Sequence, residues 1–199
     1  MSEITNINQL DLDGTYSYAD YLLWKFTERV ELIKGKIFAI SPAPSRKHQV
    51  VSRIVNRYLD RYFEKHSCGL YVAPFDVRLI NHKKSTADNT VFSVVQPDLC
   101  VVCDRSKLDD RGCIGSPDLV IEILSPGNSK KEMGIKFNLY EENLILEYWI
   151  VEPAENAIFV YTLQNGKYIG LKPCIEGETI TSPLFPELNF EIEKIFEDK

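Results

Sequence analysis

The chain has 199 residues, 44% hydrophobic and 26% charged, with 29 acidic against 23 basic side chains and a net charge of −6. That length supports one domain with a full core, and the acidic balance argues against a protein that coats nucleic acid indiscriminately, though not against one local basic face. No apolar run is long enough to span a bilayer and the N-terminus lacks a secretion-signal pattern, so a cytoplasmic protein without a membrane partner is expected.

Residues 1–14 read as a lead-in. Thr15 or Ser17 can cap a helix predicted over 17–28, with Tyr18, Leu22 and Trp24 on its apolar face. Val30–Ile40 reads as two short strands joined at Lys34-Gly35. After the proline-rich break at 41–45, Val50, Val51, Ile54, Val55, Tyr58, Leu59 and Tyr62 recur at intervals of three and four, predicting a helix over 47–65. The same segment carries Arg46, Lys47, His48, Arg53, Arg57, Arg61 and Lys65, a basic run that suits a solvated helix face or a phosphate-binding surface.

Leu70–Ile80 reads as one strand, followed by a polar loop to about Val91. Pro97–Cys103 is predicted as a strand and Asp104–Ser116 as a polar connection. Asp118–Leu124 is apolar enough for a central strand buried on both faces. Ser129 can cap a helix over 130–143, Tyr148–Val151 is a strand, and Ala157–Lys172 is a hairpin turning at Asn165-Gly166. A loose finish follows, whose Ile180, Leu184, Phe185, Leu188 and Phe190 could form an interface or cover the core. The order predicts an α/β or α+β domain with a mixed central sheet flanked by helices. Its core covers about 17–155, with a C-terminal hairpin and tail over 156–199.

Five cysteines (68, 100, 103, 113 and 174) make an odd count, and with no secretion signal the expectation is buried free thiols. Cys100 and Cys103 share a strand with their side chains on opposite faces, which disfavours a zinc pair. The histidines, at 48, 66 and 82, are too scattered for a histidine-based zinc site.

The chemistry concentrates between Gln96 and Tyr140. Gln96-Pro97-Asp98 and Pro117-Asp118 each open an apolar run, and Glu122 interrupts the second. A carboxylate inside such a strand costs free energy unless a cation compensates it. If the two strands are neighbours, Asp98 and Glu122 can converge on one magnesium ion, with water and a substrate phosphate oxygen completing its shell. Lys136, one helical turn after Glu132 and one before Tyr140, could orient or deprotonate the attacking water or neutralise transition-state charge. Glu31, ahead of the Lys34-Gly35 turn, gains interest from this company. Asp118 after its proline and His48 at its helix start suit structural roles as well as functional ones.

These segments together resemble one family. Glu31-Leu-Ile-Lys-Gly-Lys-Ile, Ser41-Pro-Ala-Pro-Ser with His48, Gln96-Pro-Asp-Leu, Pro117-Asp-Leu-Val-Ile-Glu-Ile-Leu-Ser-Pro, Lys136 with Tyr140, and Glu147-Tyr-Trp-Ile-Val-Glu-Pro are similar to the Uma-type restriction endonucleases of the PD-(D/E)XK superfamily. The resemblance spans about 17–155. It implies a restriction-endonuclease-like core and a magnesium-dependent phosphodiesterase, with manganese a possible substitute. Its site residues would be Glu31, Asp98, Glu122 and Lys136, with Asp98 and Glu122 on the metal. Leu124 stands where the general E-x-K pattern has lysine, and Lys136 matches the relocated lysine of Uma-type sequences. The expected partner is double-stranded DNA, approaching over Arg46–Lys65 and Lys130-Lys131, with a homodimer by analogy. An inactive nuclease-fold binding module and an enzyme acting on RNA are the alternatives.

Overall fold

In a computed structural model of the chain, the described residues are 3–39, 44–80, 85–125 and 130–197. The predicted Ser129 cap and His82 lie outside them, as do the side chains of Lys130 and Lys131. Helix α1 (Tyr18–Tyr21) is capped by Ser17, whose side chain accepts from Asp20 N–H while Asp20 returns the bond to the Ser17 backbone. The helix expected over 17–28 stops after one turn because Trp24 is drawn into a parallel bridge with Ile4. Strands β1 (Val30–Ile33) and β2 (Lys36–Ala39) form the expected hairpin. Its turn needs positive φ at Lys34 (52°) and Gly35 (80°), as a two-residue I′ loop requires. Helix α2 (Arg46–Phe63) follows, with Ser45 Oγ accepting from His48 N–H.

The segment read as one strand over 70–80 divides at Pro74 into β3 (Gly69–Val72) and β4 (Val77–Leu79), which enter different sheets. Proline has no N–H to give a ladder, so the chain leaves one sheet there and joins the other. Strand β5 (Ser93–Val95) lies beyond the loop predicted to about Val91, in a stretch assigned no element, and precedes β6 (Leu99–Val102). The polar connection holds a short hairpin, β7 (Leu108–Asp109) and β8 (Gly112–Ile114). Then come β9 (Leu119–Ile123), α3 (Lys130–Glu142), β10 (Glu147–Glu152), β11 (Ala157–Gln164) and β12 (Lys167–Gly170).

Two six-stranded mixed sheets result, ordered β2-β1-β5-β4-β8-β7 and β12-β11-β10-β9-β6-β3. The second is the central one. Val51, Ile54, Val55, Leu59 and Phe63 of α2 pack on one face with Leu119, Ile121 and Ile123. Val120 packs on the other face with Leu139 and Tyr140 of α3 and with Val77, Leu79 and Val95 of the first sheet. Strand β9 is therefore buried on both faces, as its composition predicts.

The tail is not loose. Strands β13 (Thr179–Thr181) and β14 (Asn189–Glu191) pair, and α4 (Glu193–Phe196) follows. Ile180, Leu188 and Phe190 join the α2 face of the core, and Phe185 packs against it. Of the two roles open to these residues, covering the core is the one they fill. Glu147 pins this segment. It is fully buried and accepts from Trp149 Nε1 (2.6 Å), Ser182 Oγ (3.0 Å) and Leu184 N–H (2.7 Å). Burial raises its pKa, opposed by those three donors. Glu147→Ala strands all three, so a loss of about 3 kcal/mol or more in urea unfolding is expected, with the tail becoming protease-sensitive first.

The cysteine expectation needs correction. Cys68 and Cys103 form a disulfide. In the β3–β6 ladder Gly69 faces Val102, and one step further the register sets Cys68 across from Cys103. The other three thiols are free. Cys100 and Cys103 do point to opposite faces, Cys100 to the α3 side and Cys103 to the α2 side. No described helix is long and apolar enough to cross a membrane.

Candidate active site

The site sits where the two sheets meet. Strand β6 runs antiparallel to β9 with Leu99 opposite Ile121. Carrying that register back one residue places Asp98 across from Glu122, close enough for the side chains to interact. Asp98 lies just before β6, and its Oδ2 accepts from Ile123 N–H (2.8 Å) and from His48 Nε2 (3.2 Å) in the first turn of α2. The linker Gln96-Pro97-Asp98 carries the chain from β5 in the first sheet to β6 in the second. Gln96 N–H donates to Glu31 Oε1 (2.7 Å), so the same linker positions Glu31 on β1 and Asp98 beside β9.

Lys136 on α3 closes the group. Its Nζ donates to Glu31 Oε1 at 3.1 Å and Glu122 Oε1 at 2.9 Å. One turn along α3, Tyr140 OH donates to the same Glu122 oxygen at 2.5 Å. The Glu31 side chain is 2% exposed, Glu122 12% and Lys136 17%, so the three meet largely withdrawn from solvent. Lys136 faces the carboxylates.

The electrostatics follow from burial and crowding. Desolvation raises the Glu122 pKa to about 7, with Asp98 and Glu31 adding repulsion and Lys136 opposing it. For Lys136, burial alone would lower the pKa, but Glu122 and Glu31 overcome it and hold the ammonium well above its usual range. Burial also pushes the Tyr140 phenol up, so it remains a hydrogen-bond donor. At His48 burial lowers the pKa, and the bond to Asp98 reverses that into a net rise.

The oxygens left over decide whether a metal fits. Among the described residues Asp98 uses only Oδ2, Glu122 only Oε1 and Glu31 only Oε1 in hydrogen bonds. Each carboxylate thus retains a second oxygen as a hard donor. Among the described residues no three His, Cys, Asp or Glu side chains gather into a ready-made cage. Two carboxylates with water fit magnesium, which keeps several waters and takes one or two protein carboxylates, better than a metal that needs a complete protein shell.

All four sequence-predicted residues meet here. Asp118 does not: its carboxylate accepts from Cys103 N–H (2.7 Å) and closes the end of the β6–β9 pair. Sequence reasoning underrates three others. Tyr140 is marked by its spacing from Lys136 and its place in the family motif, which give it no role of its own. Gln96 is held by Arg29 on its Oε1 (2.9 Å) and by Asp76 (2.8 Å) and Tyr21 (3.2 Å) on its amide nitrogen. His48 reads as a helix-start residue, yet its imidazole reaches Asp98 fifty positions later.

A protein-family model described as "Uma2: Putative restriction endonuclease" matches residues 18–193. A protein of Synechocystis sp., described as uncharacterized, is 27% identical over 145 residues, 71% of this chain and 71% of its own length. The crystal structure of "a putative nuclease belonging to DUF820" from Anabaena variabilis superposes with a TM-score of 0.68 at 21% identity, covering 91% of this chain and 97% of that one. The predicted α/β class, with mixed sheets flanked by helices, is the fold shared with that structure.

Proposed function

The chain belongs to the Uma2 family, described as putative restriction endonucleases, and from that premise we propose that it is a magnesium-dependent nuclease hydrolysing phosphodiester bonds in double-stranded DNA. The observation that carries the reading is the Lys136 ammonium held between Glu31 and Glu122, with Asp98 opposite Glu122 across the β6–β9 pair. Holding two little-exposed carboxylates on one lysine beside a third acid carries a desolvation cost, and charged groups arranged at such cost cluster at functional sites.

In this reading Asp98 and Glu122 would hold the ion and Glu31 would assist directly or through water. A bound magnesium, or manganese in its place, would polarise the scissile phosphate and lower the pKa of a bound water. Lys136 has three protons and spends two on glutamates, leaving one to direct at the attacking water or a phosphate oxygen. Its raised pKa assigns it the role of a fixed positive donor rather than a base. Tyr140 and the Gln96 linker keep the carboxylates from swinging into one another.

The test is plasmid cleavage. Nicked and linear products are expected with magnesium or manganese and none with chelator. Asp98→Asn should cut at least about 100-fold more slowly while its melting temperature stays within a few degrees, because the amide oxygen can still accept from Ile123 N–H. An RNA of matching sequence should be cut more slowly than DNA. Absence of metal-dependent cleavage by the parent would refute the proposal.

A further inference from the structure

Helices on opposite faces of the central sheet reach the carboxylates. From one face α3 brings Lys136 and Tyr140 to Glu122. From the other, α2 brings His48 to Asp98. The place of His48 is set locally. Ser45 caps the helix, its Oγ accepting from His48 N–H at 3.2 Å, and this fixes the first turn. Val51, Ile54 and Val55 follow at intervals of three and four and hold that turn on the sheet.

The imidazole is enclosed. Its side chain is 8% exposed, against 23% for Asp98. Nε2 lies 3.2 Å from Asp98 Oδ2, while Nδ1 is sealed from water and makes no hydrogen bond with a described residue. An ionised carboxylate only accepts, so Nε2 carries the proton whichever charge the ring has. One nitrogen is engaged and the other shut in, so the ring is not placed to contact a phosphate or to pass a proton to solvent. A buried nitrogen without a partner costs free energy that an apolar side chain avoids, so packing alone is a poor reason for histidine here. What the ring supplies is one directed donor.

We propose that His48 is a positioning residue that holds Asp98 ready to take a divalent cation. Two donors meet on Asp98 Oδ2, Ile123 N–H from the main chain of β9 at 2.8 Å and His48 Nε2 from the far face of the sheet. Together they fix the carboxylate before an ion arrives and leave its other oxygen without a described partner. With one of them gone, the carboxylate must be ordered as the ion binds, and the cost falls on affinity. The inference rests on the nuclease reading of Asp98 and Glu122, and adds a residue that acts through Asp98 without touching metal or substrate.

The test is manganese binding in the absence of DNA, read from loss of the free-ion signal in electron paramagnetic resonance. His48→Leu should weaken binding by about tenfold or more. His48→Gln puts an amide N–H where Nε2 stands and should bind within about threefold of the parent. Its extra buried oxygen should also make it melt at a lower temperature than the leucine variant. Tighter ion binding by the less stable variant is an order that a packing role cannot produce. His48→Asn, an amide too short to reach Asp98, should lose as much affinity as leucine and replaces it if the leucine variant does not fold. In plasmid cleavage the manganese concentration for half-maximal rate should move by the same factors. Leucine and asparagine variants binding within twofold of the parent, with binding lost in Glu122→Gln, overturn the role of His48 and leave the metal site standing. Equal losses in the glutamine and leucine variants also overturn it. A parent that binds no manganese, or a Glu122→Gln variant that binds as the parent does, removes the nuclease reading and this inference with it.

Discussion

Glu122→Gln is expected to reduce DNA cleavage at saturating magnesium by about 10³-fold or more while leaving the protein folded. The amide preserves the shape of the side chain and can still accept from Lys136 and Tyr140, but it withdraws the anionic oxygen that would hold the ion. Stability carries an independent signature. In the fold the Glu122 pKa is raised from 4.5 to about 7, chiefly by burial. Between those values the unfolded chain has lost the proton and the folded chain has kept it, so this group makes the parent less stable as pH rises through that window. The full effect is about 3 kcal/mol, complete above pH 7. Glutamine at 122 has no proton to lose, so relative to the parent the variant should gain stability between pH 5 and pH 8 in urea titrations. Parent-like cleavage would remove Glu122 from the site, and a parallel pH profile would show that the carboxyl is not desolvated.

Much of this site is legible in the chain because its residues disturb local patterns. Glu122 is an acid in a run that burial on both faces would otherwise fill with Val, Ile and Leu, and such a choice needs a compensating cation. Asp98 follows a proline that leaves the residue ahead of the strand outside the ladder. The helices and hairpins that follow simple periodicity, α2, β1–β2 and β11–β12, are equally readable. What escapes is information carried across the sequence. Whether Leu70–Ile80 is one strand or two depends on which sheet each half finds, and three-residue strands such as β5 and β8 are too short to show a period. The Cys68–Cys103 bond follows from the β3–β6 register, which nothing near either cysteine announces. The same holds for Gln96 and His48, whose roles come from partners 65 and 50 positions away. The C-terminal tail misleads for the opposite reason: it is locally irregular, and its order comes from the core that Ile180, Leu188 and Phe190 join and from a buried carboxylate on β10.

Lys136→Met tests the other half of the charge arrangement. Glu31 Oε1 and Glu122 Oε1 both touch the same nitrogen, at 3.1 Å and 2.9 Å, so removing the ammonium leaves two buried carboxylates facing each other without a counter-charge. Both cannot stay ionised there, and at least one must take up a proton. Glu122 already titrates near 7 with the lysine in place, so its pKa should climb further in the variant. Cleavage at neutral pH should fall by about 100-fold or more, and the magnesium concentration for half-maximal rate should rise, because a protonated carboxyl is a poor ligand. Residual activity should peak at a more alkaline pH than in the parent. The stability cost has a defined sign as well: with the folded pKa raised further above the unfolded 4.5, the deficit relative to the parent should widen as pH rises from 6 to 9. Lys136→Arg restores the charge but spreads it over a planar fork that cannot point a single nitrogen between two glutamates, so it should recover stability more fully than cleavage. That separation identifies a positioned donor. If methionine instead cut within fivefold of the parent at every pH, Lys136 would be a structural counter-ion and the nucleophile would have to be oriented from elsewhere.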